Sequence, residues 1–156
     1  MQGLKVYLPE LEDLWFRERL MSDEETMSYN HHWGGTIAFP EERWPEWYRH
    51  WISDHQNQRF YRYLVNEKKE FVGEIAYHFD EEYRVYLANI IIYSKYRKLG
   101  YGRKGLDILL ENAKKAGLKE LYDNLAIDNP AIRLFQEFAF TEEYRTDEVI
   151  WLKKIL

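Results

Sequence analysis

Apolar and polar positions along the chain alternate between two periods, and the switches mark the elements. Leu4 to Leu8 reads as a short strand stopped by Pro9, and Glu10 to about Met21 as a helix with Leu11, Leu14 and Trp15 on one face. Ser22 to Phe39 is polar and aromatic with a Gly34-Gly35 break, which predicts a loop or a broken helix. Pro40 to His55 then carries Trp44, Trp47, Tyr48, Trp51 and Ile52 at helical spacing. Phe60 to Val65 and Glu70 to Phe79 read as a hairpin around Asn66-Glu67-Lys68-Lys69. On the second of these strands the period of two places Val72, Glu74, Ala76 and His78 on one face, and Phe71, Ile75, Tyr77 and Phe79 on the other. Val85 to Tyr93 is a strand whose second half is nearly all apolar, which predicts a central position. Tyr101 to about Ala116 is a helix with Leu106, Leu109, Leu110 and Ala113 as its inner face, and Gly117 ends it. Glu120 to Ile127 is a strand. Asn129-Pro130 starts a helix, with Asn as cap, Pro in the first turn, and Ala131, Leu134, Phe135 and Phe138 facing inward. Thr141 to Arg145 and Val149 to Leu152 form a last hairpin.

One junction carries chemistry. Arg97-Lys98-Leu99-Gly100-Tyr101-Gly102 lies between the central strand and the long helix. Two glycines two apart let the backbone approach a ligand. The helix start behind them offers unpaired N–H groups and a positive dipole end, a cradle for pyrophosphate. Gly105 completes G-x-G-x-x-G, but the Rossmann fingerprint also needs an acidic residue at the end of a second strand, and Glu120 and Asp123 are not clearly so placed. The Gly-Lys-Ser/Thr of a P-loop is absent.

The stretch Ile90 to Gly102 resembles the acetyl-CoA signature of the GNAT superfamily of N-acetyltransferases: a hydrophobic strand, a short loop, then Gln/Arg-x-x-Gly-x-Gly/Ala opening a helix. Asp128 to Phe140 is similar to the family's second motif, Asn-x-x-Ala-x-x-Leu-Tyr-x-x-x-Gly-Phe. The resemblance covers about residue 60 to the C-terminus. It implies one GNAT domain over 1–156, an α/β (α+β) fold with a mixed, mostly antiparallel seven-stranded sheet flanked by about four helices. The element order β-α-α-β-β-β-α-β-α-β-β agrees with it.

The resemblance also implies a reaction: direct attack of an amine on the thioester of acetyl-CoA. Ile90 N–H would stabilise the oxyanion, and Ile92 N–H and C=O would hold the pantetheine amides, with Ile91 between them. Backbone N–H groups of Lys98, Leu99, Gly100, Tyr101, Gly102 and Arg103 would hold the pyrophosphate, and the charges of Arg97, Lys98 and Arg103 would add to it. Asn129 and Phe135 of the second motif fall on the cofactor side. An amine with a pKa of about 10.4 arrives protonated, so a base is needed. Glu74 and His78 are candidates, directly or through water. Many family members place an acidic residue four positions before the oxyanion N–H, where this chain has Tyr86. The Tyr that often protonates the thiolate is Phe135 here, and the motif Gly is Ala139. Tyr93, Tyr96 and Tyr144 are possible substitutes. Substrate contacts in this fold come from the segment between the first helices and from the late hairpin, which brings in Tyr29, Asn30, His31, His32, Trp33, Glu41 and Glu42. Aromatics with carboxylates suit a cationic amine.

Bulk composition narrows the picture. At 156 residues one domain with a real core is expected. Net charge is −5, which argues against a nucleic-acid partner and is compatible with a cationic substrate. Cysteine is absent, so there is no disulfide, no thiolate nucleophile and no Cys-ligated zinc, and His31-His32 alone makes a weak metal site. No apolar run reaches membrane-span length and the N-terminus has no signal-peptide pattern, so a cytoplasmic location with no membrane partner is the default. The expectation is an acetyl-CoA-dependent N-acetyltransferase of a small amine, without a metal. The alternatives are a protein N-terminal or lysine acetyltransferase, a catalytically weak acetyl-CoA sensor, and an α/β protein with no CoA site. The aromatic second helix either covers the core or forms a homodimer contact.

Overall fold

The structure, a computed structural model, describes residues 3–54 and 58–156. Its centre is one seven-stranded sheet in the order β1-β2-β3-β4-β5-β7-β6. The strands are β1 (Lys5–Tyr7), β2 (Arg59–Val65), β3 (Phe71–Asp80), β4 (Val85–Ile92), β5 (Glu120–Ala126), β6 (Thr141–Arg145) and β7 (Val149–Ile155). All neighbours are antiparallel except β4 and β5, which run parallel. That crossover is made by the long helix, as a parallel connection requires.

Helices cover both faces. Among the described residues four are α-helical: α1 (Trp15–Ser22), α2 (Trp44–Tyr48), α3 (Tyr101–Lys115) and α4 (Ala131–Glu137). On one face Leu106, Leu109 and Ala113 of α3 and Phe135 of α4 pack on Ile75, Ala88, Leu121 and Leu152 of the sheet. On the other, Leu14, Phe16 and Leu20 pack on Tyr61, Tyr63 and Ala76. Gly105 is what lets α3 lie so close: a Cβ there would stand 2.8 Å from Leu64 Cδ1 and 3.1 Å from Ile90 Cδ1.

The helix expected over Pro40 to His55 is three short pieces. A 3-10 turn (Glu41–Arg43) leads into α2, which passes into a π-helical turn (Arg49–Ser53); His55 lies outside the described residues. The winding changes, yet Trp44, Trp47, Tyr48, Trp51 and Ile52 all lie against the second core, so this segment covers the sheet. The face assignment on β3 also needs one correction. Val72 belongs to the α3 side with Ile75, and Phe71 to the α1 side with Ala76. The register shifts between Leu64 and Val65, so one residue of β3 is extra, and the alternation inverts before Gly73.

Candidate active site

The site begins where β4 and β5 part. They share a single pair, Leu87 with Tyr122, while β5 stays paired with β7 along its whole length and β4 with β3. Beyond that pair the facing edges of the two strands are open. A cleft of about 550 Å³ fills the gap. Asn89, Ile90, Ile91 and Ile92 form one wall, and Asp123 to Ala126 the other. The Tyr93 N–H donates to Val72 on the β3 side, so by alternation the N–H groups of Ile90 and Ile92 turn toward β5. These are free backbone donors along a slot one strand wide.

The open end of the cleft is the start of α3. Gly100 takes φ +89°, a left-handed turn that sets the helix axis. Lys98, Tyr101 and Gly102 line the cleft. A Cβ on Gly102 would meet only Leu134 and Ile92, at 3.8 and 4.0 Å, so the protein itself would tolerate one. The free helix N–H groups behind it fit an anion, as the glycine pattern predicts. Arg97 also lines the cleft, but its guanidinium is committed: Nε to Ile92 O (3.2 Å), Nη1 to Glu25 O (3.1 Å) and Nη2 to Thr26 O (2.7 Å). It braces the loop, and the Ile92 carbonyl assigned to pantetheine already has one donor. Asp23 tightens the same junction by accepting from the Thr26 hydroxyl and from Ser94 Oγ at 2.7 Å, which holds its carboxyl below the usual range. Arg103 turns away to an ion pair with Glu137. Leu99 and Gly100 shape the turn without lining the cleft.

Asn129 and Phe135 line the cleft from the α4 side. Asn129 Oδ1 caps the helix by accepting Ala131 N–H at 2.9 Å. Phe135 is fully buried. Tyr29, Asn30 and Trp33 reach the cleft from a 3-10 segment (Ser28–Trp33), whereas His31 does not and pairs with Asp128 at 3.1 Å.

The candidate bases Glu74 and His78, and Tyr86 at the family's acidic position, lie outside the cleft. Glu74 is 1 % exposed and accepts from Arg17 Nη1 (3.0 Å), the Tyr61 hydroxyl and Asn89 Nδ2 (2.8 Å). It reaches the cleft only through Asn89. His78 stands edge-on to Trp51, and burial with the nearby charge of Arg59 pushes its pKa down. Tyr86 packs among Tyr77 and Phe79.

The sequence reading missed Asn89, Asp123 and Asn124 as cleft residues. Their signal was present: polar side chains inside otherwise apolar central strands. It also missed a second cavity of about 770 Å³, which shares Trp33 and Asn124 with the cleft and so adjoins its closed end. Tyr83, Tyr144 and Trp151 give it aromatic walls, with Tyr83 and Trp151 at 4.7 Å, and Glu143 and Glu148 give it carboxylates.

The fold that carries this site is shared with known structures. The spermidine N-acetyltransferase from Vibrio cholerae, solved in complex with CoA and spermine, superposes with a TM-score of 0.82 over 98 % of this chain and 95 % of that one, at 22 % identity. A GNAT-family acetyltransferase from Bacillus anthracis gives 0.75 over 99 % and 95 %, at 16 % identity. At such identities the likeness establishes the fold. The family model "Acetyltransferase (GNAT) family" matches residues 11–140, and the chain therefore belongs to the GNAT acetyltransferases.

Proposed function

We propose that this acetyltransferase moves the acetyl group of acetyl-CoA to a primary amine of a small polycation, with a linear polyamine as the best fit. The observation that carries the reading is the meeting of two cavities at Trp33 and Asn124. One is a backbone-lined slot with an anion cradle at its far end. The other combines carboxylates with aromatic faces, which attract alkylammonium groups by ion pairing and cation–π contact. Their junction is where an amine and a thioester would meet. The neighbouring Vibrio cholerae enzyme, named for spermidine, gives independent support for that substrate class.

In this reading Ile90 and Ile92 donate backbone N–H groups to the acyl and pantetheine oxygens, the α3 N-terminus holds the pyrophosphate, and Asn89 presents an amide held still by Glu74. Glu143 and Glu148 hold the distal ammonium groups of the acceptor.

The test is a thermal shift with acetyl-CoA, then thiol release with putrescine, spermidine, spermine, amino acids and a lysine peptide. Acetyl-CoA should stabilise the parent protein and not Gly102→Glu, whose carboxylate would fill the cradle; Gly100→Glu is a poorer control because φ +89° would strain it in any case. Polyamines should be turned over, and Glu148→Gln should raise their KM about tenfold while leaving that of acetyl-CoA unchanged. Preference for the peptide would transfer the reading to a protein acetyltransferase. Binding without turnover of any amine would leave a sensor.

A further inference from the structure

Asp123 is an anomaly that the mechanism so far does not use. It lies on β5, one residue past the last β4–β5 pair, and so at the closed end of the cleft. Alternation along β5 puts it on the face of Leu121 and Leu125, which is the face that Phe135 of α4 packs against. It lines the cleft and is 8 % exposed. Its strand partner on β7 is Leu152. Among the described residues, no side chain on β4, β7, α3 or α4 offers it a hydrogen bond or an opposite charge, and the Asn124 backbone N–H only partly offsets its burial. The other titratable groups of the cleft are Tyr29, Tyr96, Tyr101, Arg97 and Lys98, the last two at its phosphate end. A carboxyl in such a setting is costly as an anion and cheap as a neutral acid.

The acceptor cavity adjoins the same closed end through Asn124, so the C–S bond must break there. Phe135 lines the same cleft with no proton to give. Resting on the acetyl-transfer reading above, we propose that Asp123 is the proton donor to the departing sulfur of CoA, standing in for the hydroxyl that Phe135 lacks. The amine nitrogen bonds to the acyl carbon after losing a proton to solvent or a base. As the C–S bond breaks, its electron pair stays on sulfur, and the Asp123 carboxyl proton moves to it, releasing the thiol. The carboxylate left behind regains a proton from water before the next turnover. Burial with only one weak backbone donor raises the Asp123 pKa well above the usual carboxylate range, in keeping with a group that rests protonated.

The experiment compares parent and Asp123→Asn, which is nearly isosteric with the neutral acid, by kcat and KM from pH 5 to 10 with acetyl-CoA and spermidine. The parent kcat should fall as pH rises and Asp123 ionises. In Asp123→Asn, kcat should drop about 100-fold, at the low end for general acid catalysis because a thiolate leaves readily. The alkaline limb should vanish, and KM for acetyl-CoA should stay within threefold. A parent profile flat to pH 10, a variant kcat within twofold, a limb that persists in the variant, or a rise confined to KM for acetyl-CoA each overturns the assignment. A parent that binds acetyl-CoA but releases no thiol with any amine removes the acetyl-transfer reading and this proposal together. A parent that turns over while the variant matches it removes this proposal alone.

Discussion

At the scale of residues, the carboxylate of Glu74 is the most heavily bonded group near the site. It takes three donors with 1 % exposure, and the Arg17 guanidinium that supplies one of them is sandwiched over Trp47 at 4.5 Å and Phe39 at 5.1 Å. Removing the cation would leave a buried anion without its partner. Arg17→Met should therefore cost roughly 3 kcal/mol in a urea melt, and it should also loosen Asn89, because Glu74 fixes that amide. A loss below about 1 kcal/mol would show that the network contributes little to stability. Sequence alone offers Glu74 as a polar residue sharing a strand face with Val72, Ala76 and His78. That its partner would be Arg17, 57 positions earlier, depends on α1 packing over β3, which no local pattern specifies. The same holds for Asp123: its residue type is visible in the sequence, its isolation is not.

At the scale of elements, the glycine-opened α3 and the Asn-capped α4 are local, and both are legible because turn and cap chemistry act within a few residues. The end of α4 shows where this chain departs from its family. Ala139 takes φ +70° while its N–H donates to Gln136 O and that of Phe140 to Phe135 O, a left-handed helix stop that favours glycine. An alanine there costs about 1–2 kcal/mol in backbone strain. Glycine also gains freedom when unfolded, so Ala139→Gly should stabilise by up to about 1 kcal/mol, read as a rise of about 2–4 °C in Tm. An unchanged or lower Tm would mean that the methyl group compensates by its contacts. The aromatic spacing after Pro40 predicts one uniform helix that either covers the core or forms a dimer contact; the structure lays these side chains on the core and breaks the helix into three windings. Four large rings and Ile52 must reach the same surface, and the backbone changes winding from 3-10 to α to π to bring them there.

At the scale of the whole molecule, the chain order of elements follows from periodicity and the mixed seven-stranded sheet from the family resemblance, so most of the fold was legible. The second cavity was not, since it joins β7, the β3–β4 turn and the 3-10 segment, which are far apart in the chain. One buried acid also sets a global pH response. Asp123 holds its proton in the folded state to higher pH than in the unfolded chain, where its pKa is about 3.9. Its contribution is complete below that value and lost as pH rises through the folded-state pKa, because the unfolded state there binds fewer protons. Asp123→Asn should flatten this fall, so across pH 5 to pH 9 its melting temperature should gain on the parent until the folded carboxyl ionises. A constant difference across that range would count against a proton held by Asp123.

The single shared pair between β4 and β5 has a consequence for how the molecule holds itself together. The chain's backbone joins the β1–β4 half of its sheet to the β5–β7 half at one rung, Leu87 to Tyr122, and the remaining rungs stay vacant until something linear lies between them. A pantetheine arm in that slot would act as a keel, coupling two half-sheets that otherwise meet through α3, α4, the 3-10 segment and the Tyr83–Trp151 contact. Each catalytic cycle would then begin by stiffening the scaffold and end by letting it breathe.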